Sequence, residues 1–158
     1  MKNINETYQR LEGECLEIHT QLKAFNLPLE WGWYNGHYHK NNSGEWEREF
    51  YPIPVITIKN LCDIEIGMNN ISISTKLRRE HAVQYSFSKF ESYTFEAYGV
   101  ENYLEDFYTS GESLLTMKAK ILESNETEIG FSFYFSKDGT KSSIKDVIQL
   151  LIDEGFYY

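Results

Sequence analysis

Apolar residues recur along the first segment at Ile4, Tyr8, Leu11, Cys15, Ile18, Leu22 and Phe25. Steps of four and three put them on one side of a helix, which has to stop before Pro28. The period then changes. Two aromatic-rich runs, "LEWGWYNGHYHK" (29–40) and "EWEREFYPIPVITIK" (45–59), flank Asn41-Asn42-Ser43-Gly44, whose chemistry suits a hairpin loop, with Asn35-Gly36 as a competing turn. Pro52 and Pro54 cannot donate to a ladder, so the second run is expected to bend or to lie at an edge, taking a new course at Ile53. In "CDIEIGMNNISIST", Cys62, Ile64, Ile66 and Met68 alternate with polar or small residues, and Ile71 and Ile73 continue the same face. A tight turn at Asn69-Asn70 sets Met68 opposite Ile71 and Ile66 opposite Ile73. Val83, Tyr85 and Phe87 alternate again, as a further strand.

From 98 to 109 the spacing of Val100, Tyr103, Leu104 and Phe107 is that of a helical face, and predicts a short middle helix. "SLLTMKAKIL" is ambiguous: Leu115, Met117, Ala119 and Ile121 alternate as in a strand, but the residue types also suit a helix. Because Ile129, Phe131, Phe133 and Phe135 alternate after the polar "ESNETE", the two runs read together as a hairpin. The C-terminal segment is a helix, with Ser143 and Asp146 as a capping box, Ile144, Val147, Ile148, Leu151 and Ile152 as its buried stripe, and Gly155 as its stop. Helices at both ends with consecutive strands between them indicate an α+β protein. Its mostly antiparallel sheet would have about six strands, with an N-terminal, a short middle and a C-terminal helix.

The chain of 158 residues fits a single globular domain, 1–158, large enough to build a core without metal or disulfides. Cys15 and Cys62 fall at inward-pointing positions and read as two reduced core thiols. The first residues lack the apolar core of a secretory signal, and no run approaches the roughly 18 apolar residues of a membrane span, so a cytoplasmic protein with no membrane association is expected. Fifteen Lys and Arg stand against 24 Asp and Glu, a formal charge of -9 that repels a phosphate backbone and disfavours nucleic acid.

Candidate chemistry is sparse. The sequence contains no dinucleotide-binding, P-loop, nucleophile-elbow, zinc-protease or C-x-x-C motif; no cofactor is implied, and enzymatic activity is the less expected outcome. His37 and His39 share a strand face and could share a metal, but the loop at 41–44 sets His39 opposite Trp46 and His37 opposite Arg48, with Glu45, Glu47 and Glu49 on the other face. A guanidinium beside the pair argues against Zn²⁺. Asp63 and Glu65 share a face as Mg²⁺-binding carboxylates do, yet they also fit any half-exposed strand. Lys76 to Glu80 ("KLRRE"), with His81, is the one basic cluster and a candidate for anion contact.

The charge is concentrated at 91–112, where six acids and no bases supply -6 of the -9. Tyrosines stand among those acids, a combination that offers ring area at low entropy cost and carboxylates to orient a cationic partner. A small acidic chain carrying "FEAYGVENYLEDFY" (Phe95 to Tyr108) resembles, as a class, the bacterial immunity proteins that neutralise basic nuclease-type toxins. That resemblance implies a basic protein partner held by Glu96, Tyr98, Glu101, Tyr103, Glu105, Asp106, Tyr108 and Glu112. An acidic face that only keeps the protein soluble is the plain alternative. A second functional reading is a small-molecule-binding or enzymatic domain with a pocket lined by Trp31, Trp33, Trp46, His37 and His39.

Overall fold

A computed structural model describes residues 4–34, 38–40, 43–48, 52–101, 106–137 and 141–158. The N-terminal stripe forms α1 (Ile4–Leu22), which tightens into a 3-10 turn at Lys23–Phe25 and ends at Asn26, a non-glycine residue at φ 54° whose N–H reaches the Lys23 carbonyl. Strands β1 (Leu29–Tyr34), β2 (Tyr38–Lys40), β3 (Trp46–Arg48), β4 (Ile53–Ile58), β5 (Cys62–Ile66) and β6 (Asn70–Arg78) follow. Next come α2 (Arg79–Gln84), a 3-10 turn at Phe87–Phe90, β7 (Thr94–Gly99), β8 (Asp106–Thr109), α3 (Leu114–Glu123), β9 (Glu128–Ser136) and α4 (Lys141–Asp153). The protein is α+β: seven strands form one antiparallel sheet in the order β1-β4-β5-β6-β9-β7-β8, and β2 and β3 pair separately. No helix among the described residues is long and apolar enough to cross a membrane.

The two proline-flanked runs do form a hairpin, and β4 begins at Ile53 as expected. Pro54 faces Trp33 across the ladder, and the pairing of β4 with β5 stops at Val55, one position short of it. The β2–β3 register is one residue off the expected one: His39 lies opposite Glu47, and Arg48 opposite Tyr38. His37 and the Asn35-Gly36 turn lie outside the described residues. In the β5–β6 hairpin Ile66 pairs with Ile71 and Ile64 with Ile73, because the loop also takes in Gly67 and Met68. The expected faces survive, since the shift keeps odd and even positions apart.

Three element assignments are corrected. Residues 83–87 do not form a strand: α2 buries Ala82, and the following 3-10 turn buries Phe87 and Phe90. The middle helix is not at 98–109: Tyr98 and Gly99 end β7 and Asp106–Thr109 form β8, while 102–105, with Tyr103 and Leu104 of the expected helical face, lie outside the described residues. A bulge at Ala97/Tyr98 accompanies the burial of consecutive Phe107 and Tyr108, which breaks the two-residue rhythm of a strand. The middle helix is instead α3, the segment read above as a strand. It buries Met117 and Ile121, four apart, while leaving Leu115 79% exposed. The hairpin partner expected for β9 is therefore absent, and β9 inserts between β6 and β7. At the C-terminus, α4 starts at Lys141, so Ser143 lies inside the helix; Gly155, at φ 78°, follows its end.

One cluster forms the core. The buried residues of α1, α3 and α4 meet Ile56, Ile64, Ile73, Phe95, Phe131 and Phe133 from one face of the sheet. Phe133 stacks on Phe95 at 5.3 Å, and Tyr108 lies 4.7 Å from Phe95 on the other side. Cys15 and Cys62 are buried as free thiols in the same cluster. Thr75, also fully buried, donates to the Leu61 carbonyl at 2.8 Å, so its hydroxyl adds no unsatisfied group.

Candidate functional site

Alternation along the strands sends every second side chain to the face away from the helices, and the register aligns these into cross-strand rows. One row runs Asp63, Ser74, Ser132, Glu96; the next runs Glu65, Ser72, Tyr134, Thr94; a third runs Lys76, Gly130, Tyr98, Asp106. Carboxylates and phenols from four strands, β5, β9, β7 and β8, thus share one face, around small residues at its centre. Gly130 is required there: a Cβ at this position would collide with the Tyr98 ring. The C-terminal residues complete the face. Beyond the start of β5, Tyr157 bridges to Lys76 with reciprocal backbone bonds of 2.8 and 3.1 Å. Tyr158 then reaches Asp63, and the Lys76 ammonium sits 5.1 Å above the Tyr158 ring.

The phenols are organised by the acids. Tyr134 donates to Glu96 Oε2 at 3.3 Å, Ser72 to Glu65 Oε2 at 3.5 Å, and Tyr157 to Glu128 Oε2 at 2.8 Å. Ser132, 8% exposed, hydrogen-bonds both Tyr98 and Tyr134. Burial pushes the Tyr98 hydroxyl above its ordinary pKa, the Ser132 bond partly offsets this, and the charges of Glu65 and Glu96 add to the rise. Tyr134 is raised by burial and then by Glu96, and Tyr158 by burial and then by Asp63. Burial and the Glu128 contact lift Tyr157 to about 12. These phenols are neutral donors at physiological pH, so the face carries net negative charge. Rings and carboxylates placed together have the chemistry to attract a cationic group.

The residues expected to hold a partner are distributed unevenly. Glu96, Tyr98 and Asp106 share the open face. Tyr108 is 7% exposed and faces the core, packed on Phe95, so it is not available as a surface anchor. Glu101 is exposed but engaged: it accepts from the Thr127 N–H at 3.2 Å and from the Thr127 hydroxyl, which hold its carboxyl below the usual range. In return its own N–H donates to the buried Glu126 at 2.8 Å. Glu112 is exposed, 3.9 Å from the Lys120 ammonium. Tyr103 and Glu105 lie outside the described residues.

Sequence reasoning missed Tyr134, Tyr157, Tyr158 and Glu128 as members of this face, and weighed Glu65 as a metal ligand or as a polar position of a half-exposed strand, not as part of a partner surface. The alternation of β9 carried the signal for Tyr134; only the tertiary position of the tail reveals the other tyrosines. The basic cluster is spread over two surroundings, with Lys76 over Tyr158 and Arg78 beside Glu80, Thr127, Glu128 and Tyr157 in a cleft of about 390 Å³. Acids line that cleft with the arginine. Among the described residues no group of three or more His, Cys, Asp and Glu could hold a metal. Trp31 and Trp33 meet edge to face at 6.4 Å, and Tyr8 of α1 packs on Trp33 at 5.8 Å.

No family model matches the chain, and no curated protein matches it. Among solved structures it is similar to a conserved hypothetical protein from Pyrococcus furiosus, with a TM-score of 0.75 and 24% identity over 96% of each chain. At that identity the likeness shows a shared fold.

Proposed function

We propose that this is a non-enzymatic binding protein that holds a basic protein partner against the open face of its sheet, as an immunity protein holds a nuclease-type toxin. The observation that carries the reading is the gathering of Asp63, Glu65, Glu96 and Asp106 with Tyr98, Tyr134 and Tyr158 on one face of a seven-stranded sheet. Central strands are a rigid platform, so the carboxylates are held in place before the partner arrives and little ordering entropy opposes binding. The charge of -9 steers a cationic surface toward them, and the rings supply contact area that stays apolar on one side. A cytoplasmic location fits a toxin inhibitor that acts where the toxin would do damage.

The test is co-purification with a basic protein encoded beside this chain, followed by association kinetics at several salt concentrations. Glu65→Lys with Glu96→Lys is expected to slow association about tenfold or more at low salt and to flatten its salt dependence. Glu112→Lys, away from the face, should change little. Kinetics unaltered by the double variant, in a chain whose circular dichroism is unchanged, would refute the reading.

A further inference from the structure

The two edges of the sheet are built differently. At one edge, β8 is four residues long, follows a bulged pairing, begins with Asp106 and lies against α3. These are the devices by which proteins keep a strand edge from pairing with another chain. At the other edge, β1 is six residues long and pairs without interruption along β4, with no proline, lysine or bulge. Among the described residues no strand covers its outer side, where Trp33 is 38% and Tyr34 56% exposed.

The phase of its free hydrogen-bonding groups can be read directly. The Lys59 N–H donates to the Pro28 carbonyl at 3.2 Å, which makes that opposed pair a hydrogen-bonded one. Alternation along an antiparallel ladder then turns the N–H and C=O groups of Glu30, Gly32 and Tyr34 toward β4, and those of Leu29, Trp31 and Trp33 outward. Three donors and three acceptors stand in a row on the free edge.

We propose that β1 is the contact strand of a symmetric homodimer, pairing antiparallel with β1 of a second copy so that two seven-stranded sheets join into one. The edge is complementary to itself. Opposed residues must lie on the same face and must both present outward groups, so only odd-numbered residues can form the hydrogen-bonded pairs. Centring the two-fold axis on Trp31 pairs Leu29 with Trp33 of the other copy and Trp31 with its equivalent. All six N–H···O bonds are then made, whereas a shift by two residues in either direction forfeits some. In this register the aromatic and leucine side chains of both copies meet on the helix-bearing side. Glu30, the one charged residue of the strand, comes opposite Gly32, which has no side chain to repel it or to crowd it. The two Glu30 carboxylates are diagonal neighbours, so added salt strengthens this association. Binding of a basic protein to the open face has the reverse salt dependence, and the two proposals stand or fall separately.

Light scattering on the full chain, from about 1 to about 200 µM, tests the dimer together with amide hydrogen exchange at the same concentrations. The expected mass rises toward twice 18.6 kDa. The Leu29, Trp31 and Trp33 amides should slow in step with it, while Glu30, Gly32 and Tyr34 are protected throughout. Trp33→Lys is expected to raise the dissociation constant about tenfold or more, and Leu122→Lys, on the exposed side of α3, to leave it unchanged. The exchange measurement uses the wild-type chain and does not depend on the folding of either variant. A mass of one chain at every concentration overturns the proposal. So does a doubled mass with those three amides exchanging freely.

Discussion

Single atoms decide several of the interactions that shape the open face. The Tyr98 ring lies where a Gly130 methyl would be, so Gly130→Ala must move either the ring or β9. The expected cost is about 1–3 kcal/mol, read from urea unfolding, and the displaced ring gives up its hydrogen bond with Ser132. Six tyrosines, at 85, 93, 98, 134, 157 and 158, have hydroxyls held above their usual pKa, with burial the largest cause in each. A folded pKa raised above the unfolded value stabilises the native state below pH 10, and that stability is lost as pH climbs beyond it. Absorbance titration is expected to show these six ionising late, in step with alkaline unfolding. On the acid side the sign reverses. Glu101, held low by Thr127, and Glu154, held low by Lys89, stabilise the fold above the carboxylate range, and their contribution fades as pH falls below 4.5. Glu154→Gln should therefore flatten the fall in the unfolding midpoint between about pH 5 and pH 3.

Among the elements, α3 shows how a short apolar run can support two periods at once. Leu115, Met117, Ala119 and Ile121 alternate, and a strand would bury them alike; the helix buries Met117 and Ile121 and leaves Leu115 in solvent. Substitution separates the two conformations. Ile121→Ala should cost about 2–5 kcal/mol, whereas Leu115→Ala should stay within about 0.5 kcal/mol, both measured by chemical denaturation. Propensity pointed to the helix, and the alternation of the neighbouring β9 misled. The segment at 98–109 erred the opposite way, because a bulge places consecutive aromatics inward and breaks the two-residue rhythm by which strands are recognised. At β2–β3 the misreading was one residue of register, enough to replace Trp46 by Glu47 opposite His39.

At the scale of the whole molecule, β9 is the keystone: it arrives late in the sequence yet pairs with β6 along nine residues and with β7 on its other side. A fragment ending at Ser124 leaves β6 and β7 without the strand that joins them and exposes Phe95 and Ile73. It is expected to lack a cooperative thermal transition by circular dichroism, and a native-like transition in it would show that β1 to β6 form an independent unit. The sequence by itself determined what depends on neighbours in the chain. It settled the stripe of α1, the start of β4 at Ile53, the alternation of β5, β6 and β9, the stripe of α4 apart from Ile152, which is exposed, and so the α+β class, because periodicity is set by local backbone geometry and by which side chains avoid water. It also held the charge of -9 and the tyrosines that accompany it. Only the tertiary structure decided that β9 enters between β6 and β7, that Tyr158 returns to Asp63, and that Glu65 and Glu96 share a face with Tyr134. Those pairings join residues tens of positions apart, and what selects among the possible ones is burial of one common core, a property of the whole chain that no local window contains.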